Sequence, residues 1–152
     1  MIKKTDNFIK SAVDKAKIKE RLRCNDNLHK SFDEKVQRFL NIADPGSYIR
    51  PHKHENPDKT EVFIILKGKA VMLEFAKNGR LKDYAMLDSK SGNFGVEVPP
   101  GAYHSFISLK KGTAVYEIKE GPFDPTADKL FAPWAPEEGT KEAKLFNKNI
   151  IF

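Results

Sequence analysis

Residues 46–68 read GSYIRPHKHENPDKTEVFIILKG, and this stretch decides both the fold and the candidate site. His52 and His54 are separated by one residue, and alternate side chains of an extended strand point to the same face. The polar insert ENPDKT contains Pro57 and turn-forming Asn and Asp residues, so we expect it to reverse the chain. Glu61 then begins a neighbouring antiparallel strand beside the two histidines.

Three histidines and this glutamate predict a metal site. His104 follows the turn signal Pro-Pro-Gly at 99–101 and lies on a strand whose alternate residues are expected to face inward. Glu61 shares a strand face with Phe63 and Ile65, and an unpaired carboxylate is costly to bury there. Imidazole and carboxylate ligands suit one divalent transition metal, and Zn, Fe, Mn and Ni all stay open. The alternative is a polar loop that happens to carry histidines, and the third histidine and the placed glutamate disfavour it.

The rest of the chain predicts an all-β protein with helical ends. Asn78-Gly79 is a strong hairpin signal, and about eight short strands separated by turns indicate an antiparallel sandwich or barrel. Residues 6–22 space their apolar side chains at helical intervals, with Asp6 as the expected N-cap. We expect a single domain that consists of an N-terminal helix and extension (1–30), a β-barrel (31–121) and a C-terminal wrapping tail (122–152). A short helix is predicted near 137–147.

Charge and hydropathy exclude some classes of function. The net charge is +6, but only five of the 27 basic residues are arginines, and the lysines are spread among acids. This pattern disfavours nucleic-acid binding and favours attraction of an anionic small molecule. No stretch approaches the roughly 20 apolar residues of a membrane helix. The N-terminus has no apolar segment of a secretory signal, so we expect a cytoplasmic protein.

Two motifs resemble those of the cupin superfamily. Gly46-x5-His52-x-His54-x6-Glu61-x6-Gly68 resembles the first cupin motif, with an extended gap between the second histidine and the glutamate. Pro99-x-Gly101-x2-His104 resembles the core of the second motif, with Ser108 at the place of its usual closing Asn. The longer gap adds only to a loop, and the Ser108 position supports a turn.

Five segments together resemble the WbuC family of cupin-fold metalloproteins. They are RLRCNDNLH (21–29), VQRFLNIADPGSYIRPHKH (36–54), KTEVFIILKG (59–68), YEIKEGPFDP (116–125) and FAPWAPEEG (131–139). The resemblance implies a cupin-type antiparallel jelly-roll β-barrel with a bound metal. Members of the family are associated with bacterial surface-polysaccharide (O-antigen type) biosynthesis, and the resemblance implies no settled reaction.

Further residues are candidates for contact with a ligand. Strand alternation places Tyr48 and Arg50 on the His52 face, so both are candidates for catalysis and substrate binding. Arg50 is equally compatible with an ion pair to Glu97 or Glu117. The other predicted substrate-binding residues are Phe63, Phe106 and Tyr103. The roles of four residues stay open: a pocket rim or hydrogen bonding for Asn25, Asn27 and His29, and a plug or a sugar-stacking platform for Trp134.

Three functions remain open at this point. The first is a metal-dependent enzyme that isomerises, epimerises or hydrolyses a sugar or sugar nucleotide, with the metal as Lewis acid. The second is an Fe(II)-dependent oxygenase. The third is a non-enzymatic sugar-binding or regulatory module, which a pocket too narrow for a hexose would favour. We expect a small-molecule ligand, for which an anionic sugar is one candidate, and a homodimer.

Overall fold

The computed structural model describes Met1, residues 3–17 and residues 20–151. Within these residues, ten strands form two antiparallel sheets, and a helix lies near each end of the chain. The strands are β1 (Arg23–Asn27), β2 (Val36–Ala43), β3 (His52–Lys53), β4 (Glu61–Lys67), β5 (Lys69–Phe75), β6 (Leu81–Asp88), β7 (Gly95–Val98), β8 (Tyr103–Ser108), β9 (Thr113–Glu120) and β10 (Leu130–Phe131). The helices are α1 (Asp6–Lys17) and α2 (Lys141–Ile151).

The two sheets have the interleaved strand order of a jelly roll. The first sheet runs β1-β2-β9-β4-β7 and the second runs β10-β3-β8-β5-β6. The predicted all-β, cupin-type jelly roll is therefore confirmed, in the form of two facing sheets that share no strand among the described residues. The β5–β6 hairpin turns at the predicted Asn78-Gly79, where Gly79 has a φ of 86° that favours glycine.

Alternation along the strands builds the core between the sheets. On β4, Glu61, Phe63 and Ile65 are buried, whereas Ile64 is exposed. Phe63 and Ile65 pack in a cluster with side chains of the second sheet, namely Ala70, Met72, Leu87 and Phe106. Burying each large apolar side chain stabilises the folded state by about 1.5–3 kcal/mol. Glu61 lies on the same strand face as Phe63 and Ile65, so it is buried together with them.

Helix α1 covers the outer face of the first sheet and differs from its prediction at both ends. Its N-cap is Thr5 and not Asp6, because the Thr5 carbonyl accepts the first helical hydrogen bond and its Oγ1 lies 3.5 Å from the amide of Phe8. The helix ends at Lys17, residues 18 and 19 of the predicted span lie outside the described residues, and residues 20–22 form a turn and bend.

The C-terminal tail (residues 122–152) packs back onto the second sheet. Its short strand β10 pairs with β3, and α2 begins at Lys141, four residues later than predicted. Trp134 packs against the rings of Phe75 and Phe146, and its indole nitrogen donates to the carbonyl of Lys77 at 3.1 Å. These contacts support the plug interpretation of Trp134. Neither described helix is long and apolar enough to cross a membrane.

Candidate metal centre

The four predicted ligands meet between the two sheets. His52 lies on β3, His54 follows it directly, Glu61 begins β4 and His104 lies on β8. One potential ligand atom from each residue falls within a group whose members all lie within 4.8 Å of one another. All four residues are at most 5% exposed. We call this group the histidine–glutamate cluster.

Strand pairing and the predicted turn bring the cluster together. His52 is the direct cross-strand partner of His104, and their ring centroids are 4.6 Å apart. Residues 55–58 form turns, as the insert ENPDKT predicts, and return the chain to the first sheet at Glu61. The amide of Gly101 donates to the carbonyl of His54 at 3.0 Å, which ties the second motif to the first.

Backbone carbonyls set the tautomer of all three imidazoles. The Nδ1 atoms of His52 and His104 each lie 3.0 Å from a carbonyl oxygen two residues earlier, and Nδ1 of His54 contacts the carbonyl of Asp128. Since a carbonyl can only accept a hydrogen bond, each Nδ1 carries the proton. The unprotonated Nε2 lone pairs are then left for the interior of the cluster, which is the arrangement that a metal-ligating histidine requires.

The electrostatics of the cluster favour its ligand form. Burial, followed by the positive charge of Lys129, holds the pKa of His52 well below its usual range, so this imidazole is neutral. A neutral imidazole and a carboxylate are the protonation states that bind metal.

Several acceptor atoms of the cluster face one another. Glu61 Oε2 lies 2.7 Å from His104 Nε2, and Glu61 Oε1 lies 3.2 Å from His54 Nε2. Despite this proximity, His54 Nε2, His104 Nε2 and Glu61 Oε2 are buried without a hydrogen-bond partner in the part of the chain that the structure describes. Buried polar atoms without partners are costly, and a cation among them would satisfy all three. The donor set therefore fits a metal ion.

A cavity of about 280 Å³ opens onto the cluster. This volume is slightly below the range of about 300–1,000 Å³ typical of small-molecule sites. Three cluster residues line it: His52, Glu61 and His104. Phe63 and Phe106, which the sequence offers as substrate contacts, also line the cavity. The remaining polar lining, which we call the polar wall, consists of Arg23, Asn25, Asn27, Asn41, Glu117, Lys119 and Lys129.

Three predicted ligand-contacting residues do not line this cavity. The Tyr48 hydroxyl donates to the carbonyl of Pro136 at 2.8 Å, and the Arg50 guanidinium lies 5.0 Å from the centre of the Phe131 ring. Tyr103 packs on Trp134 outside the cavity. Tyr48 and Arg50 were placed by alternation, but residues 47–51 are not a strand, so the alternation does not extend back from His52.

Other open alternatives of the sequence are now located. No ion pair joins Arg50 to Glu97 or Glu117 among the described residues, and the Arg50 Nε is buried without a hydrogen-bond partner there. Asn25 and Asn27 line the cavity, as the rim interpretation predicts. His29 lies outside the cluster, where its Nδ1 accepts from the Arg38 amide at 3.1 Å.

The sequence interpretation missed the polar wall. Glu117 lies on β9, and Asn41 donates to its carboxylate. Burial and the negative charge of Glu61 raise the pKa of Glu117 to about 7. Alternation along β9 carries a signal for it, because Glu117 and Lys119 continue the inward face that begins at Val115. Lys129 comes from the C-terminal tail, for which no periodicity existed.

A buried ionic network lies directly behind the cluster. The Asp128 carboxylate accepts from Lys59 at 2.5 Å and also from Lys119, and all three side chains are at most 3% exposed. The Nδ1 of His54 is 3.6 Å from the same carboxylate. One tail residue therefore pairs with two buried cations and supports the orientation of a cluster histidine.

Residues 4–87, more than half of the chain, match the model of a family described as a domain of unknown function, DUF6016. The chain belongs to the DUF6016 family. The DUF6016 match includes His52, His54 and Glu61, and it ends before His104. A comparison with curated proteins found no match.

Solved structures similar to this DUF6016 chain are cupin-fold proteins. CapF from Staphylococcus aureus, a capsular polysaccharide assembling protein, is 24% identical with a TM-score of 0.59, over 70% of this chain and 28% of CapF. KdgF from Halomonas sp. is 14% identical with a TM-score of 0.55, over 70% of this chain and 84% of KdgF. Salicylate 1,2-dioxygenase from Pseudoaminobacter salicylatoxidans, solved with gentisate, is 10% identical with a TM-score of 0.60, over 78% of this chain and 33% of the dioxygenase. The chain thus spans less than a third of CapF, and these similarities establish its fold.

Proposed function

We propose that this protein is a metal-binding cupin whose histidine–glutamate cluster holds one divalent transition metal. The observation that carries the proposal is the set of buried, partnerless acceptors on His54, His104 and Glu61. Their Nε2 and carboxylate lone pairs point at one another, which is unfavourable unless a cation lies between them. The choice among Zn, Fe, Mn and Ni depends on availability as well as on these ligands.

We further propose that the cavity binds a sugar or sugar-derived molecule for isomerisation, epimerisation or hydrolysis. When bound, the metal supplies Lewis-acid polarisation of a carbonyl or hydroxyl oxygen. Glu117 lines the same cavity, where burial raises its pKa in the metal-free protein, so it is the candidate to accept and return a proton. The volume of about 280 Å³ suits a monosaccharide, so a sugar nucleotide would have its nucleotide outside.

Two resemblances support a role in bacterial surface-polysaccharide metabolism. The sequence segments listed above resemble the WbuC family, and the fold is similar to that of CapF, a capsular polysaccharide assembling protein. The cytoplasmic location and the homodimer stay predictions from the sequence. Size-exclusion chromatography with light scattering would test the homodimer.

Metal analysis tests the proposed site. We expect about one transition-metal ion per purified chain, and its loss in a double variant with His52→Ala and His54→Ala that keeps the circular dichroism of a β protein. The matched control is His29→Ala, which removes a buried histidine outside the cluster and should retain the metal. Unchanged metal content in the double variant would place the metal elsewhere. Bound iron together with oxygen consumption would indicate an Fe(II)-dependent oxygenase and contradict Lewis-acid chemistry on a sugar.

A further inference from the structure

Lys129 is a cation of the cavity that no carboxylate neutralises by direct contact. It lines the cavity together with His52 and Glu61. None of the ion pairs found among the described residues includes Lys129, whereas Lys59 and Lys119 both pair with Asp128. An ammonium group with three donors and no anionic partner is available to a ligand.

Lys129 shares the cavity lining with His52, Glu61 and Glu117. Its charge lowers the pKa of His52, and the charges of Glu117 and Glu61 act on it in turn. Lys129 is exposed by its accessible surface, yet burial is the main cause that lowers the pKa of its amine. The two observations agree if the aliphatic part of the Lys129 side chain contacts solvent at the cavity mouth and its amine lies deeper, among protein atoms.

The wall around Lys129 carries excess positive charge. Behind the wall, the single carboxylate of Asp128 is shared by Lys59 and Lys119, which leaves one positive charge in excess. A second site has the same composition, because the carboxylate of Glu138 is shared by Arg21 and Arg23. The cavity lining itself holds three cations, Arg23, Lys119 and Lys129, against the carboxylates of Glu61 and Glu117, and an excess of one sign concentrates ligands of the opposite sign.

We propose that Lys129 anchors an anionic group of the ligand, a carboxylate or a phosphate, at the end of the cavity that faces the histidine–glutamate cluster. The ligand class is then an acidic monosaccharide derivative with its charged group on Lys129 and a neutral oxygen toward the cluster. This inference rests on the proposed function, because it assumes that the cavity binds a small molecule. Lys129 is a binding residue in this scheme and takes no part in proton transfer.

Three probes that differ only at C6 test the inference: D-glucuronate, glucose 6-phosphate and glucose. Isothermal titration calorimetry on the metal-loaded full chain should give tighter binding for at least one anionic probe than for glucose. A Lys129→Gln variant should weaken that binding at least about tenfold, since hydrogen bonds to charged groups are lost, and should leave glucose binding unchanged. Preference for glucuronate would identify a carboxylate, and preference for glucose 6-phosphate would identify a phosphate.

Controls separate this inference from the metal proposal. Lys129→Arg should retain most of the affinity because it keeps the positive charge, and Lys90→Gln should bind like the wild type because Lys90 is exposed outside the cavity. Metal content is measured on every sample. Equal binding of the anionic probes by Lys129→Gln and wild type, with metal retained, would overturn the role of Lys129 and leave the metal site standing. Failure of the wild type to prefer any anionic probe over glucose would also overturn it.

Discussion

Replacing Asp128 by Asn tests the buried ionic network behind the cluster. The substitution keeps the size of the side chain but removes the charge that Lys59 and Lys119 share. Two buried ammonium groups then face a neutral amide and each other. Removing one partner of a buried ion pair costs about 3–5 kcal/mol, because the remaining charge is left without compensation.

Deprotonation sets an upper limit on this cost. A buried amine without a counter-charge loses its proton instead, which for an amine of ordinary pKa costs about 4.6 kcal/mol at pH 7. We therefore expect Asp128→Asn to lower the free energy of unfolding by about 3–4.5 kcal/mol. In the variant, the unfolded chain would bind more protons than the folded one, so the deficit should shrink as pH rises toward 10.

Urea denaturation followed by circular dichroism, on protein treated with a chelator, measures this loss without a contribution from metal. The matched control is Glu74→Gln, which removes the exposed ion pair with Lys82 and should cost no more than about 1 kcal/mol. Metal titration of Asp128→Asn should show affinity reduced about tenfold or more, because the ion pairs that hold the Asp128 backbone carbonyl against His54 are lost. A stability loss below about 1 kcal/mol, or one that does not change with pH, would refute the reasoning.

Two further predictions concern Glu117 and Trp134. Burial raises the pKa of Glu117 from 4.5 to about 7, so the metal-free folded state keeps a proton that the unfolded state has lost, and stability falls as pH rises between these values. In Glu117→Gln, the loss of unfolding free energy between pH 5 and pH 8 should be smaller by up to about 3 kcal/mol, measured by urea denaturation at the two pH values. An unchanged pH profile would contradict the raised pKa of Glu117. Trp134→Ala should lower stability by about 3 kcal/mol, because the ring packs against Phe75 and Phe146. Thermal unfolding monitored by circular dichroism checks this, with the exposed Tyr84→Ala as control, and a loss no larger than that of the control would contradict the plug role.

Strand period and local turns were enough to predict the histidine–glutamate cluster. His52 and His54 are adjacent to a single turn that leads to Glu61, so their relation depends on residues that are close in sequence. His104 needed one long-range assumption, that its strand lies beside theirs, and the β3–β8 pairing supplies it. The same signals predicted an antiparallel sandwich or barrel, because alternation and turn spacing are properties of short segments, and the resemblance to cupins implied the jelly roll.

The errors arise where tertiary contacts override or replace local pattern. Tyr48 and Arg50 were placed by an alternation that ends at Pro51, whose missing amide and fixed φ interrupt a strand. Asp128 and Lys129 precede a strand of only two residues, β10, whose position is set by its pairing with β3. No periodicity of the sequence reports such a contact, so the place of Lys129 in the polar wall could not be predicted from the chain alone.

The three cluster histidines differ in how far away their orienting carbonyls lie. His52 and His104 each use a carbonyl two residues earlier, so their ring orientation comes with the local chain, whereas His54 depends on Asp128, 74 residues away. Detachment of the C-terminal tail, for example after proteolytic clipping, would therefore disturb His54 most directly, would disturb His52 through the lost β10–β3 pairing, and would leave the local support of His104 in place. If the cluster holds the proposed metal, release of the tail would weaken the site at His54 and His52 and speed exchange of the ion.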